Sequence, residues 1–381
     1  MTDSLKAARN LQPRLVELRR KLHSMAELSH KEFNTSNLLK NLCKEQGWKV
    51  TENEEFTGFT ADIGEGDERV ALRADMDALP GKEESGLEFA SQTGAAHLCG
   101  HDLHMAMCFG AGLVLQEMED APPVRLVFQH SEESPPGGAL NLITNGALEG
   151  VRSIYGLHVE PILDTGKLIT RRGPFFSAPD HFSLVIIGRG GHAAAPHEAV
   201  DAIYAAANVI TASQAAVSRM NSVFEPAVVS FTSVQGGDSF NMLPDRVEMK
   251  GTVRTFDKEV RTHVFKSFEK IATDVAAAYG ATAEFSELPG YIALKNSEKA
   301  VDTGVQAARS LGFEIDDEVK PRMFGEDFSY YTEKVNGAFF MIGAGAGDER
   351  WPLHNARVKF DEDVLWRGCA FMARCALADG R

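Results

Sequence analysis

The spacing of apolar residues changes character along the chain, and the changes predict its elements. RVALRAD (69–75), VRLVFQH (124–130) and SIYGLHV (153–159) are short, nearly continuous apolar runs, the pattern of strands buried on both faces. Between them, HDLHMAMCFGAGLVLQEM carries the stripe of a helix. An earlier helix runs through LLKNLCKEQ, with Thr35 or Asn34 as its cap and Gly47 as its stop. Strands separated by helices predict an α/β domain with a mostly parallel sheet.

From about Ala178 the order becomes strand FSLVIIG (182–188), a long Ala-rich helix over 197–219, strand AVVSFTSV (227–234) and strand RVEMKGTVRTF (246–256). An amphipathic helix capped by Asp257 and stopped by Gly280 follows, then strand ATAEFSEL (281–288). This β-α-β-β-α-β order is the ferredoxin-like arrangement. After Pro289-Gly290 the helices SEKAVDTGVQAARSLG, EDFSYYTEKV and DEDVLWRGCAFMARCALA resume, with the strand GAFFMIGAG among them. The expected fold class is α/β in two domains. Residues 1–177 and 291–381 form one discontinuous domain, and an α+β insertion covers 178–290.

The bulk composition narrows the function. The net charge of −15 supplies no basic field for nucleic acid or anionic membrane. No apolar run reaches the length of a membrane span, and the polar N-terminus lacks a signal-peptide hydrophobic region, so the expected location is cytoplasmic. Five cysteines at irregular spacing do not form a disulfide framework. Cys43, Cys108, Cys369 and Cys375 sit in apolar helical patterns and read as buried free thiols.

Cys99 differs, because Cys99-Gly100-His101-Asp102-Leu103-His104 crowds thiolate, imidazole and carboxylate donors into a loop-to-helix junction. Zinc-like cations take S, N and O donors, which favours a metal site. The alternative is a buried Cys with a capping Asp102 and surface histidines. Glu132-Glu133 follows a strand and precedes Pro135-Pro136-Gly137-Gly138. One carboxylate there can bind metal while its neighbour takes a proton from water, although a Glu pair alone is usually a solvated turn. His158 closes another strand and His354 follows a Gly-rich loop, so these groups converge only if their loops share one end of the sheet. In the insertion, the small residues of Gly190-Gly191-His192 allow close approach, Asn241 lies in a loop, and Arg254 shares strand parity with Lys250. A glycine turn, a loop Asn and surface cations explain the same residues without any ligand.

Together these segments resemble the amidohydrolase branch of the aminoacylase/carboxypeptidase family of co-catalytic metallopeptidases. The likeness runs from LRRKLHSMAELSHKEFNTS through LRADMDALP, HLCGHDLHMAM, FQHSEES, YGLHVEP, GRGGHAAAPHEAVDAI and FNMLPDRVEMKGTVRTF to MFGEDFS and LHNARVKFDEDVL. The resemblance implies two divalent metals, zinc or manganese with cobalt or nickel as options, on Cys99, His101, Glu133, His158 and His354. Cys99 would bridge them. It implies Glu132 as general base, with Asp75, Asp77 and Asp102 orienting the ligands. It implies that the 178–290 insertion is a lid and dimerisation domain whose His192, Asn241 and Arg254 contact substrate, His192 from the partner subunit. Hydrolysis of an N-acyl amino acid is the expected activity, with an aminopeptidase or dipeptidase, or a non-hydrolytic metal-binding scaffold, as alternatives. The sequence departs from the family where Gln129-His130-Ser131-Glu132-Glu133 stands for the usual Gln-Pro-Ala-Glu-Glu.

Overall fold

The structure is a computed structural model that describes residues 3–379. It divides into two compact units. The first takes the chain up to Phe175, then Lys295–Lys320, then the chain from Asp327 onward; the second comprises Phe176–Leu294 and Pro321–Glu326. Relative to the boundaries read from sequence, the crossings fall at 175/176 and 294/295, and the short return 321–326 belongs to the second unit.

The first unit is built on an eight-stranded sheet in the order Lys49–Glu52, Phe59–Ile63, Val124–Gln129, Arg69–Asp75, Val151–Glu160, Asn336–Gly343, Leu168–Ile169, Ile315–Asp316. The four central strands pair in parallel, and antiparallel pairs flank them. Arg69–Asp75 is buried from Val70 onward, as a strand covered on both faces must be. Helices Asp3–Ser24, His101–Gln116 and Val364–Asp379 pack against one another. Every residue from His101 to Leu115 is buried, which makes this the central helix. Its Gly110 lets the helices meet, because a Cβ there would lie 2.8 Å from Leu15 and 3.0 Å from the Cys369 sulfur. The surrounding core includes Leu72, Phe109, Leu126, Phe340 and Phe371.

The second unit has a four-stranded antiparallel sheet in the order Ala227–Gln235, Arg246–Thr255, Ala178–Ile187, Thr282–Leu288. In chain order this is 2-3-1-4, the ferredoxin-like topology. Buried residues alternate along Ala178–Ile187, so one face meets helices Ala202–Ser213 and Lys258–Ala278 in a separate core. The Asp257 carboxylate caps the second of these helices.

Three expected elements differ. The helix over 197–219 is broken into Pro196–Glu198, Ala202–Ser213 and Ala215–Ser218. Ala199 is extended, and Asp201 accepts the Tyr204 amide as a cap, so a new helix starts there. The helix through LLKNLCKEQ starts at Phe33, and neither Thr35 nor Asn34 caps it. The Glu27 carboxylate takes the amides of both residues instead. In EDFSYYTEKV only Ser329–Thr332 is α-helical.

Candidate metal centre

Gly100 starts the central helix in the left-handed region, at φ 84°. A Cβ at this position would lie 2.3 Å from Val159 Cγ2, so only glycine lets the Cys99 turn press against the end of strand Val151–Glu160. That contact places Cys99 Sγ 3.4 Å from His158 Nε2. On its other side, His354 Nε2 lies 3.3 Å from the same sulfur and 3.1 Å from Glu133 Oε1. His101 Nε2 lies 4.0 Å from Glu133 Oε1.

Two donor triads result, Cys99–His101–His158 and Cys99–Glu133–His354, each with ligand atoms within 4.8 Å of one another. They share the Cys99 sulfur. A third group, His101–Glu132–Glu133, places Glu132 beside them. All six residues belong to the first unit.

The imidazoles are held in the tautomer a metal requires. His101 donates Nδ1–H to the Asp77 carbonyl at 2.8 Å, and His158 donates Nδ1–H to the Val159 carbonyl at 2.7 Å. In the neutral ring, which a bound cation would enforce by displacing the second proton, each Nε2 then presents a lone pair toward the cluster. His101 Nε2 is buried and has no hydrogen-bond partner among the described residues. An orphaned imidazole nitrogen is costly unless something else binds it.

The electrostatics call for a cation. Burial opposes charge on His101, but Asp75, Asp77 and Glu133 overcome it and hold the imidazole up at about 10. Burial pushes the Cys99 thiol up, and the Glu133, Glu132 and Asp75 carboxylates push it further. Bound divalent cations neutralise such a cluster and deprotonate a coordinating thiol. The donors present thus fit two such ions.

Buried carboxylates set the geometry. Asp77 accepts the Glu132 amide on Oδ1 and the Glu133 amide on Oδ2, both at 2.9 Å, and the Ser29 hydroxyl at 2.7 Å. One side chain thereby orients both glutamates. Asp75 takes Nδ1–H of His104 at 2.7 Å, and His104 Nε2 accepts the Val159 amide at 2.9 Å. His104 thus ties Asp75 to the strand end that carries His158; its place in the six-residue motif was the available signal, but not its partners. Asp102 points away from the donor cluster, to Arg19 Nε at 2.7 Å and His23 Nδ1 at 2.9 Å. Ser131 and His354, beside or within the cluster, have left-handed backbones at φ 56° and 66°. Such conformations cost roughly 1–3 kcal/mol for a non-glycine residue and concentrate at functional sites.

His192, Asn241 and Arg254 lie in the second unit. His192 pairs with Met242 across a two-residue ladder, and the Ala193 amide bonds the Asn241 carbonyl at 3.0 Å, so His192 and Asn241 come together. Exposed His192 accepts the Ala194 amide on Nδ1 at 3.1 Å, which leaves Nε2–H as a free-facing donor. Arg254 is half-buried on strand Arg246–Thr255; burial lowers its pKa, and nearby Asp180 opposes that.

Comparison with known proteins agrees with this chemistry. The chain is 38% identical over 371 residues to an N-acetylcysteine deacetylase of Bacillus subtilis, covering 96% of each protein. It is 39% identical over 307 residues to an N-acyl-L-amino acid amidohydrolase of Geobacillus stearothermophilus, covering 78% of this chain and 83% of the other. Its fold superposes with a TM-score of 0.84 on a dinuclear metal binding peptidase of Bacillus subtilis, at 34% identity and with 97% and 98% of the two chains covered. Residues 71–378 match peptidase family M20/M25/M40. The chain belongs to that family, and it is an amide-bond hydrolase.

Proposed function

We propose that this protein is an N-acyl amino acid amidohydrolase that works with two divalent metal ions. The observation that carries the reading is the Cys99 sulfur shared by two donor triads, with the Glu132 carboxylate beside them. Cys99, His101 and His158 would hold one ion, and Cys99, Glu133 and His354 would hold the other. Zinc or manganese suits this S, N and O donor set, with cobalt or nickel as substitutes. When bound, the ions supply Lewis acidity that polarises the scissile carbonyl and lowers the pKa of water from about 15.7 to about 7.

The chain's own groups do the rest. Glu132 accepts a proton from the attacking water and returns one to the leaving amine. Asp77 aims Glu132 and Glu133 through their amides, and Asp75 steadies the His104 link to the His158 strand. His192 donates Nε2–H to the developing oxyanion. Arg254 holds the substrate carboxylate with two parallel hydrogen bonds, and Asn241 orients the amide beside it. The second unit serves as lid and dimerisation domain, its His192 completing the partner's site. No helix among the described residues is long and apolar enough to cross a membrane. The buried, unpaired cysteines suit a reducing cytoplasm.

The test compares two glutamates and two substrate types. Glu132→Gln keeps its metal and loses at least ~10²-fold in turnover on an N-acetyl amino acid, whereas Glu133→Gln loses metal. Equal metal loss in both variants contradicts the division of roles. Faster cleavage of free dipeptides than of N-acyl amino acids by the wild type overturns the substrate class.

A further inference from the structure

We infer that Glu32 is a positioning residue for the Glu132–Glu133 pair, an inference that rests on the roles proposed for those two glutamates. Glu32 stands at the N-cap position of helix Phe33–Glu45, yet its side chain makes no capping bond. The helix does not need it, because Glu27 takes the Asn34 amide at 3.2 Å and the Thr35 amide at 2.9 Å. Fully buried Glu32 turns instead to a segment 99 residues away. Its Oε1 accepts the Ser131 amide at 2.9 Å, the His30 amide at 3.0 Å and the Ser131 hydroxyl at 3.2 Å, and its Oε2 accepts the Thr57 hydroxyl at 2.7 Å.

Two of the donating residues are unusual in their backbone. His30 and Ser131 both have left-handed backbones, at φ 65° and 56°. Their local bond, from the His30 amide to the Ser131 hydroxyl at 2.8 Å, closes the contact. Three consecutive amides, those of Ser131, Glu132 and Glu133, therefore end on carboxylate oxygens, the first on Glu32 and the next two on Asp77. Asp77 holds the glutamates themselves, while Glu32 fixes the residue whose φ sets their direction. Without Glu32 the Ser131 amide is buried with no acceptor. Its backbone then relaxes toward the commoner negative φ, which swings Glu132 and Glu133 off their positions. Displacing a catalytic group by about 1 Å costs up to ~10²-fold.

The experiment compares Glu32→Ala, Glu32→Asp and Glu32→Gln with the wild type and with Glu132→Gln, all metal-reconstituted. Three quantities are read: kcat and KM per folded molecule, bound metal under a competing chelator, and melting temperature. Glu32→Ala is expected to lower kcat about 10–100-fold with KM within about threefold, and to release metal at lower chelator concentration through misplaced Glu133. Glu32→Gln keeps an oxygen for Ser131 and His30 and an amide for the Thr57 oxygen, so it is expected to restore kcat to within about fivefold. Glu32→Asp retains the charge but falls one methylene short; it is expected to fall between the two and carries the test if the alanine variant does not fold. Wild-type kcat and metal retention in Glu32→Ala, or in Glu32→Asp where alanine fails to fold, overturn the inference. So does a lowered melting temperature in the alanine and glutamine variants alike with kcat per folded molecule unchanged. Full activity in Glu132→Gln instead signals failure of the underlying assignment of the base, whatever Glu32 does.

Discussion

Replacing Asp77 with asparagine tests how tightly the glutamate pair must be held. Asp77 is 1% exposed, and burial works against its charge, but His101, Ser29 and the Glu133 amide keep its carboxyl below the usual range. It is therefore ionised, and its 2.9 Å bonds to the Glu132 and Glu133 amides are charge-assisted. Asparagine offers one acceptor oxygen and presents an NH2 group to the remaining amide. The variant loses one charge-assisted bond, worth about 1.5–3 kcal/mol, and buries an unsatisfied donor. At about 1.4 kcal/mol per tenfold, that energy corresponds to roughly 10–100-fold in kcat if it all appears as misplacement of Glu132. KM should change little, because Asp77 acts on the proposed base and a proposed ligand rather than on substrate. Steady-state kinetics on an N-acetyl amino acid, with metal content by atomic emission and folding by circular dichroism, reads all three quantities. A folded variant with wild-type metal content and kcat within threefold of wild type refutes the reasoning.

The remaining predictions are independent of one another. Removing metal with a chelator is expected to raise alkylation of Cys99 measured by mass spectrometry, since a bound thiolate is shielded; equal labelling with and without metal argues against ligation. For His23, burial opposes the charge, but Asp102 and Glu83 raise its pKa to about 9. Its stabilisation is fully present below its unfolded pKa of about 6.5 and is lost as pH rises through 9, a change of order 3 kcal/mol. Thermal melts across that window are expected to show the fall in wild type and a flatter profile in His23→Gln, and identical profiles contradict the account. Arg254→Ala is expected to weaken turnover of acyl-amino acids far more than of the matching acyl-amides, and an equal loss on both assigns Arg254 to the fold instead.

Much of this was legible in the sequence, because short-range pattern carries it. Continuous apolar runs mark the parallel strands, and the six-residue cluster from Cys99 to His104 marks the donor-rich turn. What the sequence did not disclose depends on pairings between distant residues. Nothing near Asp77 says that its two oxygens take the amides of residues 132 and 133, and nothing near Glu32 says that it forgoes its own helix for Ser131. The expected helix over 197–219 fails for a local reason overlooked in an Ala-rich stretch: Asp201 is a better cap than an interior helical residue. The left-handed backbone of His354 is equally invisible, since histidine gives no signal for it as glycine does.

The strand order has a consequence for how the chain is made. Strand Asn336–Gly343 lies in the middle of the large sheet, paired with Val151–Glu160 on one side and Leu168–Ile169 on the other. The ribosome thus delivers an interior plank of the sheet after more than 300 residues have already emerged. Until then Val151–Glu160, buried over most of its length in the finished protein, offers an unpaired apolar edge. Nascent or truncated chains ending before residue 336 are expected to be sticky and to depend on chaperones, while complete chains close the edge on themselves. The same late arrival brings His354, so the Cys99–Glu133–His354 triad can assemble only in chains that extend past residue 354, whereas Cys99, His101 and His158 are all present much earlier.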